Sequence, residues 1–306
     1  FIGNWSYPLC SLIAMGLTPL ISAEWNWRVQ LLIPAILSLI ATALAWRYFP
    51  ESPRWLESRG RYQEAEKVMR SIEEGVIRQT GKPLPPVVIA DDGKAPQAVP
   101  YSALLTGVLL KRVILGSCVL IAMNVVQYTL INWLPTIFMT QGINLKDSIV
   151  LNTMSMFGAP FGIFIAMLVM DKIPRKTMGV GLLILIAVLG YIYSLQTSML
   201  LITLIGFFLI TFVYMYVCYA SAVYVPEIWP TEAKLRGSGL ANAVGRISGI
   251  AAPYAVAVLL SSYGVTGVFI LLGAVSIIVA IAIATIGIET KGVSVESLSI
   301  DAVVNK

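Results

Sequence analysis

One arginine stands in the middle of an apolar run: Arg246, within GLANAVGRISGIAAPYAVAVLL. A charge at the centre of a membrane helix costs about 2.5–3.5 kcal/mol even on lenient insertion scales, so such residues face protein or a wet cavity and serve a purpose there. The purpose suited to a guanidinium is holding an anion, because its planar fork offers parallel donors to the two oxygens of a carboxylate. Ser238, Asn242, Gly249 and Pro253 recur beside it at helical spacing, whereas Leu240, Val244, Ile247 and Ala251 share the other side. A small, polar helix face next to an arginine describes a cavity wall. A structural alternative stays open: Pro253, Gly245 and Gly249 favour a kink, in which Arg246 would be tied to backbone carbonyls.

Aromatic and amide side chains are the natural neighbours of such a charge. The stretch 112–139 carries Asn124, Gln127, Tyr128, Asn132 and Trp133, and 199–225 carries Tyr214, Tyr216, Tyr219 and Tyr224. Buried tyrosines need a partner for the hydroxyl, and their faces suit a flat ring. Trp46, Trp55, Tyr224 and Trp229 fall at predicted helix ends, where an interfacial belt accounts for them. Tyr128 and Tyr219 lie deeper. They are expected to wall a pocket, with Gln127, Asn124 and Asn242 as hydrogen-bonding neighbours and Tyr7 as a further contributor.

The elements that must position these residues are membrane helices. Of the 306 residues 58% are hydrophobic and only 12% charged, more apolar surface than a soluble core of this size needs. A span of roughly 20 apolar residues crosses the hydrocarbon core, and that ruler gives runs at 28–49, 112–139, 149–170, 177–196, 199–225, 237–261 and 265–288, preceded by 2–22. The chain begins at Phe1 without an initiator Met, a basic leader or a cleavage site, so it reads as a fragment. Cys10, Cys118 and Cys218 all fall in these runs, where a thiol behaves as a small hydrophobe. There is no histidine, which removes the commonest proton relay and metal ligand, although carboxylates could still serve. The sequon Asn4-Trp5-Ser6 sits inside an apolar run and is set aside.

Basic residues set the orientation. Eleven of the 21 Lys and Arg lie in 47–112, three in 172–176, two in 234–236 and two after 289, while Arg28 and Lys146 fall on the opposite side and Arg246 within its helix. The asymmetry places 50–111, the 171–176 and 226–236 turns and the C-terminus in the cytoplasm. The formal charge of +5 is therefore a topology signal. Spread over four loops, it is no nucleic-acid footprint. Within the one long polar segment, 61–79 places Ala65, Val68, Met69, Ile72 and Val76 on one side at helical spacing, with Glu66 and Arg70 set for an i,i+4 pair, which predicts a short amphipathic helix on the inner membrane face. The linker after it holds Asp91-Asp92, an adjacent pair read as solvated and not as a metal site.

Acid and base recur together at the predicted cytoplasmic helix ends: Glu51 with Arg54, Asp171 with Arg175, Glu227 with Arg236. Pairs that form in one state and break in another bias a two-state equilibrium; as plain surface pairs they would contribute about 0–1 kcal/mol each.

The residues around these pairs carry a family resemblance. Pro50-Glu51-Ser52-Pro53-Arg54-Trp55-Leu56 resembles the signature after the sixth helix in the sugar-porter and organic-ion branches of the major facilitator superfamily. Asp171-Lys172-Ile173-Pro174-Arg175-Lys176 is similar to the turn between helices eight and nine, and Pro226-Glu227-Ile228-Trp229-Pro230-Thr231 with Arg236-Gly237 to that between ten and eleven. Glu289-Thr290-Lys291-Gly292 is similar to the end of helix twelve, with Ile288 in place of Pro. The resemblance implies an all-α membrane protein of the major facilitator fold, of which this chain supplies eight helices, five to twelve of twelve. It also implies two six-helix halves that rock about a midplane site. The implied division is 1–49 for the last two helices of the N-terminal bundle, 50–111 for a cytoplasmic loop, 112–288 for the C-terminal bundle and 289–306 for a cytoplasmic tail. Anion carriers of the organic-ion branch resemble this chain in placing an arginine on helix eleven.

The reading that follows is a bacterial inner-membrane, multi-pass carrier of a small aromatic or heteroaromatic carboxylate, most similar to the nicotinate transporters of this superfamily. Arg246 meets the carboxylate and tyrosine stacks on the ring. No cofactor, metal or nucleic acid is expected; the partners are the carboxylate and the bilayer, with protons only if an absent helix supplies a carboxylate. A sugar or polyol porter, or a non-transporting binding protein on the same fold, are the alternatives. An enzyme is not expected, since no nucleophile, metal cluster or acidic pair sits at mid-depth.

Overall fold

A computed structural model describes residues 2–17, 20–81, 100–230 and 233–291. Asp91, Asp92, Thr231, Gly292 and the rest of the tail lie outside the described residues, as does the side chain of Arg54. The described residues are helical throughout, with no strand. They divide into two compact units, 18–95, and 1–17 together with 96–306.

Helix α1, Ser6–Leu17, belongs to the larger unit; the smaller unit holds α2 (Ala23–Tyr48), α3 (Pro53–Ser58) and α4 (Tyr62–Thr80). Helix α2 is apolar on all sides and buries none of its described side chains, the pattern of a helix made for lipid or for other membrane helices. At its start the Arg28 guanidinium lies 4.5 Å from the Trp27 ring centre and 5.4 Å from that of Trp25. Such an aromatic and basic girdle suits a membrane boundary. Leu56 of α3 and Ala65 of α4 are buried. The polar face of α4 carries the Glu66–Arg70 ion pair at 2.8 Å, and its apolar residues Met69, Ile72 and Val76 are exposed. The helix ends at Gly81, whose positive φ of 64° is the left-handed C-terminal stop that glycine allows without steric cost.

The larger unit contains α1, α5 (Tyr101–Leu104), α6 (Gly107–Thr140), α7 (Leu145–Met156), α8 (Gly158–Val169), α9 (Arg175–Ser194) and α10 (Met199–Cys218). A π-helical segment, Tyr219–Tyr224, leads into α11 (Val225–Glu227), and α12 (Lys234–Ile286) follows. Among the described residues six helices are long and apolar enough to cross a membrane: Glu24–Tyr48, Gly107–Thr140, Leu145–Val169, Arg175–Ser194, Met199–Glu227 and Lys234–Ile286. At about 1.5 Å per residue the last would be more than twice as long as the hydrocarbon core of a bilayer is thick. It reverses at Gly264, whose φ of 65° and ψ of −161° are not helical. A methyl on Gly267 would accordingly sit 3.3 Å from the Leu259 carbonyl, whereas eight residues of straight helix span about 12 Å. The runs read from sequence at 237–261 and 265–288 are thus the two arms of α12.

Of the run 2–22, the described part forms a 3-10 turn, Ile2–Trp5, followed by the twelve-residue α1, which alone is about 18 Å of helix. The run 149–170 falls within one membrane-length segment, Leu145–Val169, in which Phe157 keeps a helical φ and ψ where Pro160 cannot donate to the carbonyl of Met156.

Glycines set how closely the helices of this unit approach. A methyl on Gly116 of α6 would lie 3.3 Å from Ala241 of α12, and one on Gly245 of α12 would lie 2.8 Å from Leu120 of α6. Small residues allow helices to approach closely in lipid, where van der Waals packing, and not the hydrophobic effect, drives association. The core around that contact contains Leu115, Val119, Leu120, Ala122 and Val126, all essentially unexposed.

Candidate functional site

Close packing of α6 on α12 brings Arg246 to the face of α6 that carries Tyr128. Arg246 Nη1 donates a hydrogen bond to Tyr128 Oη, and Arg246 is otherwise exposed. The Tyr128 ring edge lies against Gly249: its Cδ2 and Cε2 are 3.1 Å from where a Cβ on that residue would be. Arg246 is therefore not tied to a kinked backbone in this state. Its hydrogen-bond partner among the described residues is a neutral side chain, which does not compensate the charge.

Next to Tyr128 on α6, Gln127 is half-buried and faces the hydroxyl of Tyr214 on α10. Tyr7 of α1 approaches the same Tyr214 edge-on, ring centres 5.2 Å apart. The Tyr214 hydroxyl is buried yet closes no well-formed hydrogen bond with either neighbour. Asn242 lies one turn before Arg246 on α12, exposed, with its amide donating to Ser238 O at 2.9 Å. Asn124 is buried at the helix contact, donates to Leu120 O at 2.7 Å and faces Gly245.

Of the pocket residues expected from sequence, Arg246 meets Tyr128, Gln127 and Tyr7 each approach Tyr214, Asn242 lies one turn before Arg246, and Asn124 is packing at the helix contact. Tyr219 does not join them. It is fully buried in the π-helical segment, stacked on Tyr224 with ring centres 5.0 Å apart and planes 14° off parallel. Its neighbour Tyr216 donates to Val119 O at 3.1 Å, nine residues and about 13 Å along α6 from Tyr128. The tyrosine of α10 at the site is Tyr214, which sequence spacing did not distinguish from its neighbours.

The charges at the helix ends form a second constellation. Arg175 Nε and Nη2 each lie 3.1 Å from a Glu227 carboxylate oxygen, with Asp171 at 3.4 Å and the Met170 carbonyl also accepting from Arg175 Nη1. Asp171 is almost wholly exposed, so Glu227 is the principal partner. Thr290 Oγ1 donates to Glu227 Oε2 at 2.5 Å. Glu289 accepts from the backbone N–H of Arg175 at 2.7 Å and of Lys176 at 3.1 Å, capping the unsatisfied donors that open α9. Partial burial pushes the Glu289 carboxyl up, but the N–H bonds from Arg175, Lys176 and Lys291 and the Arg175 charge outweigh this and hold it below the usual carboxylate range. Tyr224 clamps Ile288 by donating to its carbonyl at 3.1 Å and accepting from its N–H at 3.0 Å.

Of the expected pairs, Asp171 with Arg175 forms at 3.4 Å, and Glu51 with Arg54 falls on a side chain outside the described ones. Glu227 binds Arg175, while the Arg236 guanidinium lies 5.2 Å from the Tyr101 ring centre. Glu51 is exposed and near Arg61, which holds Glu64 through two bonds of 2.8 and 2.6 Å. Glu289 and Thr290, quoted in the C-terminal motif but not proposed as gate residues, are the additions that the structure makes.

Residues 7–302 match the family described as Sugar (and other) transporter. The chain is 44% identical over 301 residues to the inner membrane metabolite transport protein YdjE of Escherichia coli (strain K12), covering 98% of this chain and 66% of that protein. It is 25% identical over 290 residues to the niacin transporter NiaP of Acinetobacter baylyi (strain ATCC 33305 / BD413 / ADP1), covering 94% of this chain and 65% of that one. A crystal structure of a double-Trp XylE mutant superimposes with a TM-score of 0.64 at 19% identity, over 95% of this chain and 63% of that one, and so shares the fold. The chain therefore spans about two thirds of the length of these relatives. With four loop motifs in order and a family match along nearly its whole length, this chain is a member of the Sugar (and other) transporter family, a multi-pass membrane protein of the major facilitator fold.

Proposed function

We propose that this chain is the part from helix five to helix twelve of a bacterial inner-membrane carrier for a small aromatic or heteroaromatic carboxylate, of which nicotinate is the type. The observation that carries the reading is Arg246: a cation on a membrane helix, exposed, and hydrogen-bonded among the described residues to the neutral Tyr128. Desolvating such a charge is costly unless an anion compensates it. A monocarboxylate would neutralise the site and lower the cost of carrying it through an occluded state. Tyr7, Gln127 and Tyr214 would receive the ring and its heteroatom. The cluster around Arg175 and Glu227 would be the cytoplasmic gate, opening as two halves rock about the site. In this reading 1–49 close the N-terminal bundle, 50–111 form a cytoplasmic loop, 112–288 form the C-terminal bundle, and 289–306 are a cytoplasmic tail.

The family name and the amides Gln127 and Asn242 favour a second reading, a sugar or polyol porter, whose site would rely on amides and would not require Arg246. Binding of radiolabelled nicotinate to the purified full-length carrier, with benzoate, nicotinamide and glucose as competitors, separates the two. Competition by benzoate and not by glucose, lost in Arg246→Gln, supports the carboxylate carrier. Competition by glucose that survives Arg246→Gln supports the sugar porter.

A further inference from the structure

We propose that Tyr128 is a second carboxylate-reading group beside Arg246, and that Gly249 is the positioning residue that holds it there. The inference rests on the carboxylate reading above and gives Tyr128 a task other than stacking on the ligand ring. A phenol has one proton to donate and lone pairs to accept with. Arg246 Nη1 already occupies the accepting side of Tyr128 Oη, which turns the O–H proton toward a further acceptor. Arg246 keeps other N–H donors of its fork. The pair therefore presents donors only, a match for the two oxygens of a carboxylate. A primary amide of the same shape would set its own N–H donors against them and leave buried polar groups unpaired.

The height of the hydroxyl is fixed by the helix contact. The ring edge of Tyr128 sits 3.1 Å from the place of a Cβ on Gly249, and a Cβ on Gly245, four residues earlier, would lie 2.8 Å from Leu120 and 3.0 Å from Asn124 Nδ2. With α6 and α12 this close, a methyl at 249 requires the ring to give by a few tenths of an ångström. That shift moves the hydroxyl relative to Arg246 and weakens their bond. In this proposal Gly249 acts through Tyr128.

The test is equilibrium binding of nicotinate and nicotinamide to the purified full-length carrier, in wild type, Tyr128→Phe, Gly249→Ala, their double variant and Arg246→Gln. Tyr128→Phe keeps the ring shape and should weaken nicotinate roughly 10- to 100-fold, the range for a lost hydrogen bond to a charged group, while nicotinamide changes little. Gly249→Ala should lower nicotinate affinity in the same direction and cost less than about threefold once Phe replaces Tyr128, since coupled residues are not additive. Nicotinate affinity kept in Tyr128→Phe while Arg246→Gln abolishes it overturns the Tyr128 proposal and leaves the carboxylate reading standing. An equal Gly249→Ala loss in both backgrounds overturns the positioning role. Undiminished binding in Arg246→Gln, or no wild-type binding of nicotinate, overturns the carboxylate reading and this inference with it. Should Gly249→Ala fail to fold, combining it with Tyr128→Leu makes room at the contact: recovery of folding supports the seat, and continued failure overturns it.

Discussion

Two arginines of this chain, Arg175 and Arg246, sit on helices of the same unit and have opposite surroundings. The Arg175 side chain is 8% exposed and meets Glu227, Asp171 and the Met170 carbonyl. Arg246 is exposed and its hydrogen bond among the described residues is to one tyrosine hydroxyl. Arg175 is a finished interaction: its charge is compensated within the chain, Glu227 also accepts from Thr290, and the Glu289 carboxylate accepts from the Arg175 backbone N–H at the start of α9. Arg246 is unfinished, and the missing element has negative charge. A satisfied cation holds parts of a protein together; an unsatisfied one in a membrane helix is a place for something that comes and goes.

Exchanging the roles breaks that comparison. Arg246→Gln should weaken binding of a carboxylate probe more than 100-fold, the consequence of losing a charge-assisted bidentate contact, with little change in thermal stability. Arg175→Gln should do the reverse. Removing one partner of a largely buried pair costs about 3–5 kcal/mol. The Glu227 side chain is 34% exposed, which discounts this to roughly 2 kcal/mol, read as a lowered Tm with carboxylate binding nearly intact. A binding loss in Arg175→Gln as large as that in Arg246→Gln would erase the distinction.

Acid sharpens the comparison on the finished side. Because the folded state holds the Glu289 carboxyl below its usual range, the stability it contributes is fully present above the ordinary carboxylate value of about 4.3 and is lost as pH falls through the lower folded-state value. Thermal melts from about pH 6 to pH 3 should show the wild type losing its advantage over Glu289→Gln, and a gap that stays constant would remove the carboxylate from the account. The smallest effect belongs to α4, where Glu66 and Arg70 pair at 2.8 Å with both side chains well exposed. Arg70→Ala should change stability by no more than about 0.5 kcal/mol.

Much of this was legible from residue order. The spans containing Arg246, the reversal between 261 and 265, the amphipathic helix and its Glu66–Arg70 pair follow from periodicity and from the rule that backbone groups in lipid must be satisfied within helices. The motif Glu289-Thr290-Lys291 was visible, but its task was not. Capping α9 from 114 residues away is a contact that local patterns do not encode. Spacing does not separate Tyr219 from Tyr214 for the same reason: the two differ by about a turn and a half of helix, and periodicity does not fix which tyrosine a neighbouring helix meets.

By itself the sequence determined that this chain lies in a membrane, where its helices run and that one of them carries a lone cation, because hydropathy and the cost of a buried charge act residue by residue. Only the tertiary structure decided which groups that cation meets. The spacing of α6 and α12 depends on glycines on both helices at once, and the pairing of Glu227 with Arg175 spans 52 residues. Such contacts belong to the packing of whole helices, a property that no single stretch of sequence contains.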